Sequence, residues 1–431
     1  MNYFLPLLKT FKSDLRKNNL YQNIIFLTLL LMPVAFAAGP AVMEVLIFFC
    51  CASFLLLVMI KKISFSIEKE IKIFLICYFG ILCLVSFFAF NPTYSFLSSI
   101  STLRFFILIL AGIYLLKTFK QSLKYIYYAY LFIYLFAVLD GYVQFFLGKD
   151  LFFISPVSES IISGFYGEEK RLGSFLVRLL PILLGISIHF HRSEKNALIS
   201  LLIIAITFPL IVFTSERTAL LFLFITGLFT TLYFFKEIAR NIKTYSIIFL
   251  SIIVTFLLIY NLDIVKFPEK LTNTSKQITD NYRGYKFWSM QHQAFAETSI
   301  EIFKKNKLFG TGVKSYRVSC KQIPELKIKY DTNNCSTHPH NIFFQILAET
   351  GMLGISFYLV ILFILTTKLF GFLFIKRKRV SSVFFLLSFS FFFNPLFPSG
   401  NFFNNWYMCI GIFPLIFYFY ETENFIKKIK L

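Results

Sequence analysis

Apolar runs of roughly 18–20 residues recur from one end of this chain to the other, and nothing else in it constrains the fold as strongly. A helix of that length crosses a hydrocarbon core of about 30 Å, and it satisfies its own backbone hydrogen bonds where lipid offers none. Composition agrees. The chain is 57% hydrophobic and only 15% charged, against about a quarter charged in soluble domains. The pattern predicts helices near 23–38, 42–60, 73–90, 103–116, 125–146, 174–190, 196–213, 218–235, 245–262, 352–373, 380–396 and 403–420. The expected fold class is therefore all-α: a polytopic membrane protein with about twelve transmembrane helices and one large extramembrane loop. Three regions follow: 1–262 with about nine helices, the loop 263–341, and 342–431 with about three helices. Pro33, Pro181, Pro209 and Pro395 predict kinks.

The formal charge of +21 invites a nucleic-acid reading, which its placement argues against. Lys61, Lys62, Lys69 and Lys72 share one short connection. Lys117, Lys120 and Lys124 share another, and Arg192 and Lys195 a third. Lys236, Arg240 and Lys243, then Lys376 to Arg379, then Lys427, Lys428 and Lys430 continue the series. These basic connections alternate with basic-poor ones at 91–102 and 397–405. The positive-inside rule then places both termini in the cytoplasm and puts 147–172, 214–217 and 263–341 outside. The first apolar run, with Lys9, Lys12, Arg16 and Lys17 before it and Ala35-Phe36-Ala37 near its end, has the grammar of a signal peptide. A second membrane segment follows at once, so it reads as an uncleaved first helix.

Of seven cysteines, Cys50, Cys51, Cys77, Cys83 and Cys409 lie in apolar runs. Cys320 and Cys335 lie in the loop, where an oxidising compartment permits a disulfide. Closing a loop of that length contributes about 3 kcal/mol in the entropic model. Sequence leaves bridged and free cysteines equally open. Within the loop, 281–304 reads as an amphipathic helix through Trp288, Phe295, Ile300 and Phe303.

The densest polar cluster beside an apolar run is His338-Pro339-His340-Asn341, followed by IFFQILAETGMLG. A histidine there can act as a general base, its ordinary pKa being near 6.5. A single histidine is more often a packing residue, but two within three positions at a helix mouth shift that balance. The spacing does not suit a metal, and no Cys, His or Glu set completes one. Arg217, in Thr214-Ser215-Glu216-Arg217, falls in the first turn of a helix that Ser215 can cap, where the dipole repels cations. An anionic ligand explains that placement; a salt bridge to Glu216 or snorkelling is the plainer account. Arg171 and Arg178 are seven apart, on one helix face, with Arg178 below the interface, where charges face a cavity or a partner. Arg104 is similar but shallower, with Asp140 and Glu44 as candidate acidic partners. Arg283, shortly before Trp288, opens the loop helix, where a solvated charge is the default reading. Leu308-Phe309-Gly310-Thr311-Gly312 is a tight glycine turn, neither a P-loop nor a dinucleotide motif. No Asp-x-Asp is present to hold a divalent metal on a nucleotide sugar, and no G-x-S-x-G elbow appears.

In order along the chain, RLGSF (171–175), SERTAL (215–220), Arg283 with Trp288, KLFGTG (307–312) and HPHNIFFQILAETGMLG (338–354) resemble the O-antigen ligase and O-antigen polymerase superfamily. Lys307-Leu308 stand where that family commonly has Pro before its glycine pair. The resemblance implies a large periplasmic loop between the ninth and tenth helices of an inner-membrane protein. It implies glycan transfer from an undecaprenyl-diphosphate carrier, onto lipid A–core sugar in a ligase or onto another lipid-linked repeat unit in a polymerase. No cofactor or metal is implied, and the transfer is inverting. The family's histidine maps onto His340, with His338 second. Its characteristic arginines map onto Arg217 and Arg283, with Arg171 after them, and these are expected to bind the diphosphate; Arg178, from its depth in the membrane, is a further candidate for the same role. Transfer onto protein hydroxyls and a lipid-linked glycan flippase are the other readings. A flippase calls for repeats and midplane charges, whereas these polar residues gather near one face.

Overall fold

The computed structural model of the chain describes residues 13, 15–16, 18–60, 63–119, 121–157, 161–190, 193–261, 290–322, 333–374, 381–422 and 426–430. It is built of helices: α1 (Leu20–Ala38), α2 (Pro40–Met59), α3 (Lys69–Phe87), α4 (Pro92–Ser101), α5 (Leu103–Thr118) and α6 (Ser122–Leu147) come first. Then follow α7 (Leu172–Ser187), α8 (Ser193–Thr214), α9 (Arg217–Tyr233), α10 (Phe235–Arg240) and α11 (Ile242–Asn261). The series ends with α12 (Met290–Lys305), α13 (Tyr316–Ser319), α14 (Ile342–Phe374), α15 (Ser381–Phe392), α16 (Asn405–Ile412) and α17 (Pro414–Thr422). A departure from the all-α expectation is one antiparallel pair, β1 (Ser64–Ile67) with β2 (Ile426–Lys430).

Local chemistry explains the elements. Asn19 and Gln22 close a reciprocal capping box at the start of α1, with bonds of 2.9 and 3.1 Å. Between α1 and α2 only Gly39 intervenes; its φ of 109° is open to glycine, and Pro40 presets the first turn of α2. The two helices fold against each other as a hairpin.

Among the described residues, seven helical stretches are long and apolar enough to cross a membrane: α1, α2, α3, α4 with α5, α6, α8 and most of α14. Four shorter apolar helices accompany them, α7, α9, most of α11 and α15. The chain is a multi-pass membrane protein. Of the roughly twelve crossings expected, seven are present by length among the described residues. Every residue of α7 but Ser174 is buried. It is the central helix, packed by α6, α8, α9 and α15, as its apolar content on all sides requires.

The loop helix expected over 281–304 is present as α12, from Met290; Arg283 and Trp288 lie outside the described residues. It packs on α14, and Ala294, Ile302, Tyr316, Cys320 and Ala348 form a small core between them. Cys320 and Cys335 are joined, with Cα atoms 5.2 Å apart. Arg104 pairs with Glu44 at 3.0 Å. Asp140 takes no arginine: its Oδ1 accepts from the Leu151 amide at 3.0 Å and shapes the turn after α6.

Candidate functional site

Asn341 ends the loop and starts α14. Its Oδ1 accepts from the Phe344 amide at 3.3 Å, and its Nδ2 donates to the Pro395 carbonyl at 2.8 Å. His340 just before it takes a left-handed backbone, φ 54°, a conformation non-glycine residues hold only where the surroundings impose it. The imposing contact is the Ser399 amide, which donates to the His340 carbonyl at 2.8 Å. The rings of His338 and His340 are 4.2 Å apart.

The two histidines differ in their partners. His338 is buried; its Nε2 faces the Ser399 carbonyl at 3.3 Å and its Nδ1 the Thr337 hydroxyl at 3.0 Å. A carbonyl only accepts, so Nε2 carries the hydrogen and Nδ1 accepts from Thr337. Burial, then the neighbouring His340, pushes its pKa down to about 4, so it is neutral with both nitrogens engaged. His340 is half-buried, stacks on Phe295 at 5.3 Å and, among the described residues, its ring nitrogens meet only the Ser336 hydroxyl, at 3.4 Å. His292 on α12 lies 6.1 Å from it, ring to ring. Burial first and His292 second hold the His340 pKa below its usual value.

A buried polar lattice fixes this turn. Gln345 donates to Asn401 Oδ1 at 2.7 Å and to Glu349 Oε2 at 3.3 Å, and it accepts from the Phe402 amide at 2.8 Å. Glu349 also accepts from the amides of Lys314 and Tyr316, at 2.9 and 3.1 Å. Here the glycines of the sequence motifs find their purpose. At Gly351 α14 breaks its helical geometry, with φ 60° and ψ −154°. The 307–312 turn docks into that break: Met352 N donates to Lys307 O, Thr311 N to Ala348 O and Gly312 N to Glu349 O, at 2.8 to 3.1 Å. A Cβ on Gly310 would lie 2.5 Å from the Glu349–Thr350 backbone, and one on Gly351 2.6 Å from Gly310 N.

A second cluster surrounds the start of α7. The carboxylate of Glu216 accepts from the amides of Gly173 and Ser174, at 2.7 and 3.0 Å, and from the Ser174 hydroxyl at 2.5 Å. Burial pushes its carboxyl up, while these donors hold it down. Glu216 thus caps α7 in space. This corrects one expectation: Ser215 takes φ 58°, and Glu216 holds the cap position of α9. Arg178 is 7% exposed and lies over the Tyr407 ring at 5.3 Å; its Nη1 donates to Ser174 O at 2.9 Å. Its Nε and the Tyr407 hydroxyl are buried with no hydrogen-bond partner. Arg171 pairs with Glu169 at 2.7 Å and approaches the Trp406 ring at 5.9 Å. Arg217 is exposed at the first position of α9.

Both clusters meet the segment from Pro395 to Tyr407, which runs from the connection after α15 into the first turn of α16. Pro395 and Ser399 hold the histidine turn, and Asn401 and Phe402 hold Gln345. Trp406 and Tyr407 lie under Arg171 and Arg178. Phe397 packs against Phe222 of α9, rings 6.4 Å apart. Four of the six predicted residues, His338, His340, Arg171 and Arg178, thus touch one framework.

Residues 201–359 match the family model described as O-Antigen ligase. This stretch is similar to the O-antigen ligase family. The matched family is one of glycosyltransferase-like ligases and polymerases of O-antigen. The O-antigen ligase match covers under half of the chain, from within α8 into α14. Arg217, Arg283, His338 and His340 fall inside it, and Arg171 and Arg178 before it. No curated protein matches the chain. Among the described residues, no group of three or more His, Cys, Asp or Glu is arranged to hold a metal.

Sequence reasoning missed Glu216 as a cap, and it missed Gln345, Glu349, Ser399, Asn401, Trp406, Tyr407 and His292. Gln345 and Glu349 carried a signal, since residues four apart share a helix face. The 395–407 residues carried none; only the tertiary fold brings them to the site.

Proposed function

We propose that the chain is a glycosyltransferase that moves an undecaprenyl-diphosphate-linked glycan onto the sugar of a lipid A–core acceptor, with inversion and without a metal. The observation that carries this reading is the shared framework, a histidine with an unengaged ring nitrogen and two arginines on one backbone segment, 395–407. The acceptor hydroxyl attacks the anomeric carbon, the bond from that carbon to the diphosphate oxygen breaks, and the diphosphate leaves on its carrier. His340 takes the hydroxyl proton, an effect worth about 10²–10⁴-fold. Arg178, with Arg171, Arg217 and Arg283, offsets the charge growing on the diphosphate, for which a planar guanidinium suits. His338, with both nitrogens committed, positions the turn.

Two apolar cavities of 110 and 620 Å³ support a polyprenyl carrier. They share Phe74, Phe106, Phe357 and Phe389, and the smaller reaches Phe402 and Phe403 beside the site. In this reading the protein sits in the inner membrane with both termini cytoplasmic. Region 1–262 and region 342–431 form the membrane body, and 263–341 is the periplasmic loop; the Cys320–Cys335 disulfide supports that compartment. Joining lipid-linked repeat units, the polymerase reaction, is the second reading, since the matched family includes that activity.

The test is the glycolipid profile of a deletion strain. Loss of long chains from lipid A–core, with polymer accumulating on the carrier, is the expected result. Lipid A–core bearing a single repeat unit selects the polymerase, and an unchanged profile refutes both.

A further inference from the structure

A second group of cations lies on the 312–317 turn, and the transfer described above uses none of it. That turn is pinned on two sides. The Val313 amide donates to Ser95 Oγ at 2.8 Å, and the Lys314 and Tyr316 amides donate to Glu349. Lys314 takes a left-handed backbone, φ 60°, and its side chain is half-buried; Arg317, three residues on, is exposed. Among the described residues neither side chain has a hydrogen-bond or ion-pair partner. The acids nearby are already engaged. Glu349 has its oxygens on two backbone amides and Gln345, and Glu44 has Arg104.

Lys314 and Arg317 stand three residues apart on this turn, and the Val313–Ser95 bond ties it to α4, the helix just before the one that carries Arg104, so like charges gather where they repel more than in open water. Burial, then Arg104 and Arg317, depress the Lys314 pKa, with Glu349 and Glu44 opposing. A half-buried ammonium without a partner is costly, and an anion that brings several oxygens removes both penalties. Phosphoryl groups do so, accepting from guanidinium and ammonium donors at once. The turn also lies against the loop that carries the proposed base: the Tyr316 hydroxyl donates to the Asn334 carbonyl at 3.3 Å, and Cys320 is joined to Cys335.

We infer that Lys314 and Arg317, with Arg104 behind them, bind a phosphoryl group on the acceptor. This rests on the transfer reading above, in which Arg171 and Arg178 serve the donor. The hydroxyl that attacks must stand at His340, so the substrate held on the histidine side by these cations is the one that supplies it. A phosphorylated lipid A–core and a second polyprenyl-diphosphate-linked unit both offer that chemistry.

The test uses the full-length protein in lipid nanodiscs, with the polyprenyl-diphosphate-linked glycan as donor. Acceptors are lipid A–core with its phosphates, the same material after chemical dephosphorylation, and a lipid-linked repeat unit. Arg317→Gln alters an exposed side chain, and Lys314→Asn keeps a residue type that tolerates positive φ. The expected result is an acceptor KM raised about tenfold in each variant, the loss of one charge-assisted contact, with donor KM and kcat unchanged. Dephosphorylated acceptor should cost the wild type the same factor and the variants nothing more. An effect confined to lipid A–core or to the lipid-linked unit names the source of the phosphate. An unchanged acceptor KM, or a raised donor KM instead, overturns the inference. If a variant loses all activity, Arg317→Lys decides: rescue supports a cationic subsite and no rescue overturns it. A wild type that transfers to neither acceptor overturns the transfer reading itself, and this inference with it.

Discussion

His338 and His340 sit two positions apart, yet their ring nitrogens meet different partners. The Ser399 carbonyl and the Thr337 hydroxyl use up the first ring, while the second meets one hydroxyl at 3.4 Å. A base must be neutral to accept a proton, so activity should rise with pH through the His340 pKa and level off above it. Burial and His292 hold that pKa below 6.5, which carries the active range to lower pH. His292→Gln removes the second cause, so the His340 pKa should rise and the acid limb of the rate profile should move to higher pH. Transfer rates measured across that limb check this; an unmoved limb argues that another group titrates. At this scale the sequence was partly legible. His338-Pro339-His340-Asn341 stood out by density alone. Glu216 did not, because its neighbour in sequence, Arg217, was the obvious partner and its true partners, Gly173 and Ser174, lie on another helix.

Among the elements, α14 shows how far periodicity reaches. Its apolar content announces a membrane helix, and 352–373 was read correctly as one. The preceding turns, 342–350, are helical too, but they end at a left-handed Gly351 filled by the 307–312 turn. No local pattern marks that hinge, since its cause is about forty residues away in sequence. The geometry predicts that Gly351→Ala strains the backbone, by on the order of 1–3 kcal/mol at positive φ alone, besides the contact with Gly310 N and Leu308 O. Thermal melting of the purified protein in detergent should fall. Gly371→Ala, where a Cβ meets nothing within 4 Å, should melt as the wild type does. Equal melting of both variants contradicts the docking of the two glycine motifs.

For the whole molecule, the apolar pattern fixed the class of protein before any coordinates, because lipid permits few backbone solutions. The number of full-length crossings was less legible. Among the described residues seven stretches qualify by length, while α15 is short where the chain leaves helical geometry after Phe392. That framework unites a histidine turn at the edge of the loop with arginines at the start of a buried central helix. Its residues are an unremarkable connection in sequence, and only folding puts Ser399 against His338 and Tyr407 beneath Arg178. In the proposed function this convergence serves transfer, with His340 as the base. The most direct measurement is the glycolipid profile of the deletion strain complemented with His340→Ala, with the variant's membrane level measured in parallel. The account predicts wild-type amounts of inserted protein, no long chains on lipid A–core, and polymer accumulating on the carrier. Normal attachment of long chains by His340→Ala would contradict it.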